Sequence, residues 1–222
     1  NALVGEKIAI VSPKPQTTRN RITGVVNRPE GQLVLLDTPG LHRAHNKLDE
    51  YMTQTVRHSV ADVDGVFLLV EPVAKIGEPE QELIARIKAL GAPAVLVINK
   101  VDTVKKEDLL AVMAAYGQAH TWRAILPISA KTKEGLEELT ALAMELLPVG
   151  PALFPEDMTT DQPERQVCAE ILREKLLLCL DKEVPHGTAV ELTRFSQRDR
   201  DDVIECEATI YCEKESHKGI II

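Results

Sequence analysis

The sequence predicts an open, doubly wound α/β sheet, mostly parallel, followed by a smaller α/β domain. Three observations carry this. Short, continuously apolar runs alternate with helical patterns, polar clusters stand directly after those runs, and a proline-rich break near residue 150 separates this pattern from a different one.

Taken in order, residues 33–36, 66–70, 94–98 and 124–128 are apolar throughout. Strands with one face in solvent alternate, whereas continuous apolarity suits parallel strands covered on both faces. The stretch 80–90 brings Leu83, Ile84, Ile87 and Leu90 to one face, and 136–147 does the same with Leu136, Leu139, Leu142, Ala143 and Leu146. Both therefore read as amphipathic helices. Pro148, Gly150, Pro151 and Pro155 then mark a linker over 149–163. A helix is expected over 164–180, with Val167, Cys168, Ile171, Leu172, Leu176 and Cys179 inward and Asp161 and Glu164 at capping-box spacing. Pro185-His186-Gly187 ends it, and strands are expected over 189–195 and 203–212 around a charged turn. The division is thus 1–148, linker 149–163 and 164–222.

Bulk composition narrows the function. Apolar residues make up 44% of the 222, enough for a packed core. No run of about 18 apolar residues occurs, which argues against a spanning helix, and Asn1-Ala2-Leu3-Val4 is no export segment. Cys168, Cys179, Cys206 and Cys212 form no C-x-x-C pair and have no histidines at zinc spacing, so reduced thiols are expected. Cys206 and Cys212 share a strand face and suit small core positions. The net charge of −8 argues against a generic nucleic-acid binder. Residues 151–222 hold nine basic against sixteen acidic side chains, a net of −7, so charge does not announce RNA binding there.

The chemistry lies at the strand ends, where open α/β sheets bind ligands. Asp37-Thr38-Pro39-Gly40 follows the first apolar run. A carboxylate there can hold the water shell of a magnesium ion, and the glycine lets a backbone N–H approach a phosphate. Asn99-Lys100-Val101-Asp102 follows residues 94–98. Guanine offers two adjacent N–H donors to one carboxylate and adenine does not, so Asp102 would remain unsatisfied against adenine. The Lys100 stem can lie on the base, and the Asn99 amide can tie loops together. Ser129-Ala130-Lys131 follows Ile128, and the Ala130 N–H can donate to guanine O6. Each cluster alone also reads as a polar turn. Their order, 62 and then 30 residues apart at successive strand ends, makes the set specific.

These three clusters resemble the third, fourth and fifth motifs of Ras-like GTPases. Gln16-Thr17-Thr18-Arg19 resembles the first switch of the Era-like GTPases, and Asp37 through His42, with Lys47-Leu48 and Tyr51-Met52, resembles their second. Residues 170–176, Glu183-Val184-Pro185-His186 and Ala189-Val190-Glu191 resemble the opening of a type II KH domain. His217-Lys218-Gly219 and the isoleucines after it resemble the approach to that domain's Gly-x-x-Gly loop. The resemblance covers nearly the whole chain.

The resemblance implies a GTP-binding switch that hydrolyses GTP to GDP with Mg2+. Thr18, with Thr17 as alternate, and Asp37 would hold the metal, and Thr18, Asp37 and Gly40 would face the reacting phosphate. Asp37, Thr38, Gly40, Asn99, Lys100, Asp102, Ser129, Ala130 and Lys131 would bind the nucleotide. Leu41 stands where Ras-like enzymes carry a water-orienting glutamine, so slow intrinsic turnover is implied. The implied partners are the small-subunit (16S) ribosomal RNA 3′ end and the small ribosomal subunit during its assembly. A monomeric, cytoplasmic protein is implied, with peripheral membrane association as in some family members.

No Gly-x-x-x-x-Gly-Lys-Ser/Thr phosphate loop occurs in these 222 residues. Both the phosphate loop and the RNA-gripping loop are therefore expected in flanking parts of a longer protein, and the stretch alone is expected to be inactive. Two rivals stand beside this reading: another Era-related GTPase, and a nucleotide-independent RNA-binding scaffold.

Overall fold

The computed structural model describes residues 1–14, 17–39, 63–181, 184–198 and 203–222, without the side chains of 185 and 186. Strands β3 (Val66–Val70), β4 (Ala94–Ile98) and β5 (Ala124–Pro127) form a parallel sheet in that order. The middle strand explains the continuous apolarity. Val95, Leu96, Val97 and Ile98 are each 0% exposed, because parallel crossovers put helices on both faces. Leu96 and Ile98 pack with Ile84 and Ile87 of α1 (Glu78–Leu90) and Val112 and Tyr116 of α2 (Lys106–Ala119). Val95 and Val97 point the other way, onto Ile128 and onto Leu136 and Leu139 of α3 (Leu136–Leu146).

Helix α1 ends where Gly91 adopts φ 70° and its N–H returns to Ile87 O at 3.2 Å, a left-handed stop that glycine allows without strain. Helix α2 was not expected from the sequence. It buries Leu109, Val112 and Tyr116 but leaves Leu110 70% exposed, which blurs the apolar stripe that pattern reading relies on.

Residues 33–36 require a correction. They belong to β2 (Gly31–Asp37), which is antiparallel and paired with β1 (Ile22–Arg28) from Ile22↔Asp37 to Arg28↔Gly31. Pro29-Glu30 forms the two-residue turn that makes a hairpin, and only antiparallel strands can be joined so tightly. The strand is apolar because Val26 and Leu33 pack on Ala143 of α3, with Phe67 beside them. The segment after α3 lies along this hairpin: Val25 N–H donates to Thr159 O at 2.8 Å, Thr160 Oγ1 to Thr23 O at 2.7 Å, and Gln32 Oε1 accepts the Leu153 and Phe154 N–H groups at 2.9 Å.

The C-terminal region is α4 (Glu164–Cys179), a 3-10 turn (Val184–Gly187), the antiparallel pair β6 (Thr188–Gln197) and β7 (Ile204–Cys212), and α5 (Glu215–Ile221). Three expectations fail here. Asp161 does not cap α4: Pro163 occupies the cap with no side-chain bond, and its carbonyl takes the Gln166 N–H at 2.8 Å. The buried face of α4 is Arg173, Glu174 and Leu177, while Ile171, Leu172 and Cys179 are exposed. The charged pair is inward because it holds Lys7, Val11 and Thr17 of the N-terminal region, as described below. Cys206 is exposed rather than a core residue, because β7 has its pairing partner on one edge and side chains open to solvent along most of its length. All four thiols are free.

Candidate functional site

Neighbouring parallel strands deliver their C-terminal loops to the same place, and β4 and β5 do so here. The Asn99 N–H continues the ladder to Val70 O at 2.9 Å, and Lys100 then turns the chain with φ 64°. Asn99 Oδ1 accepts the Lys100 N–H at 2.8 Å and the Ala130 N–H at 3.0 Å, so it ties the two loops together. Asp102 lies on a single 3-10 turn, Val101–Thr103. Ser129 is wholly buried, donates through Oγ to Asp102 Oδ1 at 2.7 Å, and accepts the Thr132 N–H at 3.1 Å.

The carboxylate is thus held by one oxygen in a side chain only 18% exposed, with Lys131 Nζ 4.0 Å from the other. The loop carrying Ser129 closes through the Ser129 N–H to Glu134 O at 3.0 Å and returns at Gly135, φ 77°. A Cβ at Gly135 would stand 2.8 Å from Ile128 Cγ2 and 2.9 Å from Pro127 O, so only glycine fits. This arrangement can present a fixed acceptor to two adjacent N–H groups of a planar base. The Ala130 N–H differs from expectation in one respect. It is directed to Asn99 Oδ1, so a guanine O6 would share it or displace the amide.

Asp37, at the end of β2, forms a second cluster. Thr18 Oγ1 donates to Asp37 Oδ2 at 3.3 Å. Desolvation by the surrounding protein raises the Asp37 pKa above the ordinary carboxylate value, and the Thr18 hydroxyl and the Thr38 N–H offset this only in part. A carboxylate and a hydroxyl converging in this way are oxygen donors suited to a hydrated magnesium ion. Gly40, Leu41 and the rest of the second switch, together with Gln16, lie outside the described residues.

Pattern reading missed three contributors. Glu71 directly follows β3 and pairs with the Lys100 ammonium. Its place at a strand end was a usable signal. Arg173 of α4 donates to Thr17 O, and Glu174 accepts from Lys7 Nζ at 2.6 Å and the Val11 N–H at 3.0 Å. Their signal was an adjacent charged pair that interrupts the apolar spacing of α4.

A family model described as 50S ribosome-binding GTPase matches residues 1–100. The GTPase Era of Ruminiclostridium cellulolyticum is 47% identical over 222 residues, covering all of this chain and 74% of that protein. That of Geobacter metallireducens is also 47% identical, with the same coverage. Among solved structures, Era in complex with MgGDPNP and nucleotides 1506-1542 of 16S ribosomal RNA superposes with a TM-score of 0.94 at 34% identity, covering all of this chain and 76% of the other. A single-residue variant of Aquifex aeolicus Era bound to GDP.AlF4- gives the same values. The expectation of an inactive chain is not borne out by these matches, which are to GTPases along its whole length.

Proposed function

The chain belongs to the Era family of GTPases, and from that premise we propose that it binds GTP and GDP with Mg2+ and acts as a switch on small-subunit ribosomal RNA during small-subunit assembly. The observation that carries the nucleotide half is Asp102, oriented by the buried Ser129 at 2.7 Å beside loops tied by Asn99. Asp102 takes the guanine N1–H and amino group, the Lys100 stem lies on the base, and Ala130 serves O6 once the Asn99 amide gives way. Lys131 screens the exposed edge of the carboxylate.

On the phosphate side, Thr18 and Asp37 would hold the hydrated ion, with Thr38 beside them, and Gly40 would let a backbone N–H approach the terminal phosphate. Magnesium, when bound, spreads the charge that develops on the transferred phosphoryl group. A water is the nucleophile, and the residues of this chain position rather than attack. Residues 1–148 form the GTPase domain, 149–163 the connection and 164–222 the KH domain. The RNA half rests on the α-β-β-α order of the C-terminal region and on the RNA complex of the similar Era structure. A monomer at work in the cytoplasm, with peripheral attachment to the inner face of the membrane, completes the reading.

The test of the nucleotide half is Asp102→Asn in the intact protein. An amide donates where the carboxylate accepted, so affinity should move from GTP towards xanthosine triphosphate. Unchanged GTP affinity would remove Asp102 from the base pocket. For the RNA half, binding to the 16S 3′ end should weaken steeply with salt, since phosphate contacts release counterions. No binding at low salt would leave the C-terminal region as a fold without that role.

A further inference from the structure

Thr18 is flanked on both sides by tethers to the C-terminal region. The Arg173 guanidinium donates through Nη2 to Thr17 O. On the other side, Arg19 Nη1 donates to Thr188 O at the start of β6, at 2.7 Å. Upstream, Lys14 reaches Leu180 O, and Glu174 takes Lys7 and the Val11 N–H. The segment that carries Thr18 is therefore placed by α4 and β6 as well as by its own β2 neighbour Asp37.

Arg173 is built for this. It is 3% exposed, and burying a guanidinium is tolerable only when it is paired. Glu170 supplies the pairing with both oxygens, at 3.0 Å to Nε and 2.6 Å to Nη2. Nη1 is buried with no hydrogen-bond partner among the described residues, so Glu170 and the Thr17 carbonyl set the guanidinium's place. A planar fork held at one edge by a carboxylate leaves little freedom for what it grips at the other.

We propose that Arg173 is a positioning residue for GTP hydrolysis: by fixing the Thr17 carbonyl it sets where the Thr18 hydroxyl meets the metal and terminal phosphate. This rests on the reading of Thr18 and Asp37 given above. Arg173 would act through one backbone bond, to the Thr17 carbonyl, rather than on the reacting atoms. Its effect is largest in the triphosphate state, where Thr18 would meet the terminal phosphate as well as the metal.

The experiment measures kcat, KM for GTP and affinity for GDP on the intact protein and on Arg173→Gln, Arg173→Lys and Glu170→Gln. Arg173→Gln should lower kcat about tenfold, the scale of one lost charge-assisted hydrogen bond, with GDP affinity within about twofold of wild type. Arg173→Lys keeps one charged donor and should recover part of the loss. Glu170→Gln only loosens the clamp and should lower kcat about threefold, which keeps the test available should Arg173→Gln fail to fold. Unchanged kcat in Arg173→Gln, or in Glu170→Gln where only that variant folds, overturns the proposal. So does an equal loss of GTP and GDP binding, the mark of a merely structural role. A wild-type protein that binds neither nucleotide instead overturns the functional reading beneath it.

Discussion

The base-side loops and the Thr18 segment are held in opposite ways. Asn99, Asp102 and Ser129 are fixed from below by β4 and β5, with every β4 side chain buried, and from the side by one another. Among the described residues, Thr18 makes one side-chain bond, to Asp37, and its neighbours Thr17 and Arg19 are tethered to groups more than 150 residues away in sequence, the Arg173 guanidinium and the Thr188 carbonyl. On the proposed reading, recognition of the base would rest on loops fixed at the sheet end, while the reacting end would rest on a contact between separate parts of the chain. A switch needs this division, because the part that changes state must be the part that is cheaply moved.

The sharpest way to break the comparison is Asp102→Asn. It should weaken GTP by roughly a hundredfold or more, since a site built to pair two donors then meets them with a donor. Thermal stability should barely change. Nucleotide titration and a melting curve on the same sample check both statements. Next comes Ser129→Ala, which frees Asp102 Oδ1 and leaves the Thr132 N–H without its acceptor. A loss of about 1–2 kcal/mol in nucleotide binding follows, or roughly tenfold. A fall in kcat alone would mean the two regions are not separable.

On the other side, Glu174→Gln should destabilise the protein at neutral pH by about 1 kcal/mol, with guanine selectivity untouched. The pH sign follows from its surroundings. Burial alone would raise the Glu174 pKa, but hydrogen bonds from Lys7 and the Val11 N–H, the Lys7 charge and Lys175 together hold it below the ordinary value. A depressed carboxylate stabilises above its unfolded pKa, and that contribution is lost as pH falls through the lower folded value. Wild type should therefore lose stability on acidification more steeply than Glu174→Gln, as seen in melting temperatures across roughly pH 3–6, a range spanning about 4.3, the usual glutamate pKa. The smallest effect expected is Glu71→Gln. Its pair with Lys100 is well exposed, so GTP affinity should change by less than about threefold.

Much of the region around Asn99, Asp102 and Ser129 is readable in the sequence because it is set on buried strands. Strands buried on both faces announce themselves as apolar runs, and the polar clusters that follow them mark the ligand edge. The hairpin escapes this reading because β2 is apolar for packing on α3, not for membership of the parallel sheet. Its partner β1 mixes Thr23, Gly24 and Asn27 with its valines, which hides the pairing. Helix α4 misleads at its most informative point. Hydrophobic spacing assumes that burial is apolar, whereas Arg173 and Glu174 are buried to make a long-range contact that no local pattern encodes. The fold class survives these errors, and the family matches agree with it. What the residues alone do not reveal is how Thr18 is placed.

The most direct test is competition for a fluorescent GDP analogue on the intact wild-type protein with magnesium. GTP and GDP should displace the analogue, and ATP should fail to do so at about a thousandfold excess, in keeping with a carboxylate that adenine cannot satisfy. Displacement by ATP as effective as that by GTP would contradict the account at its centre.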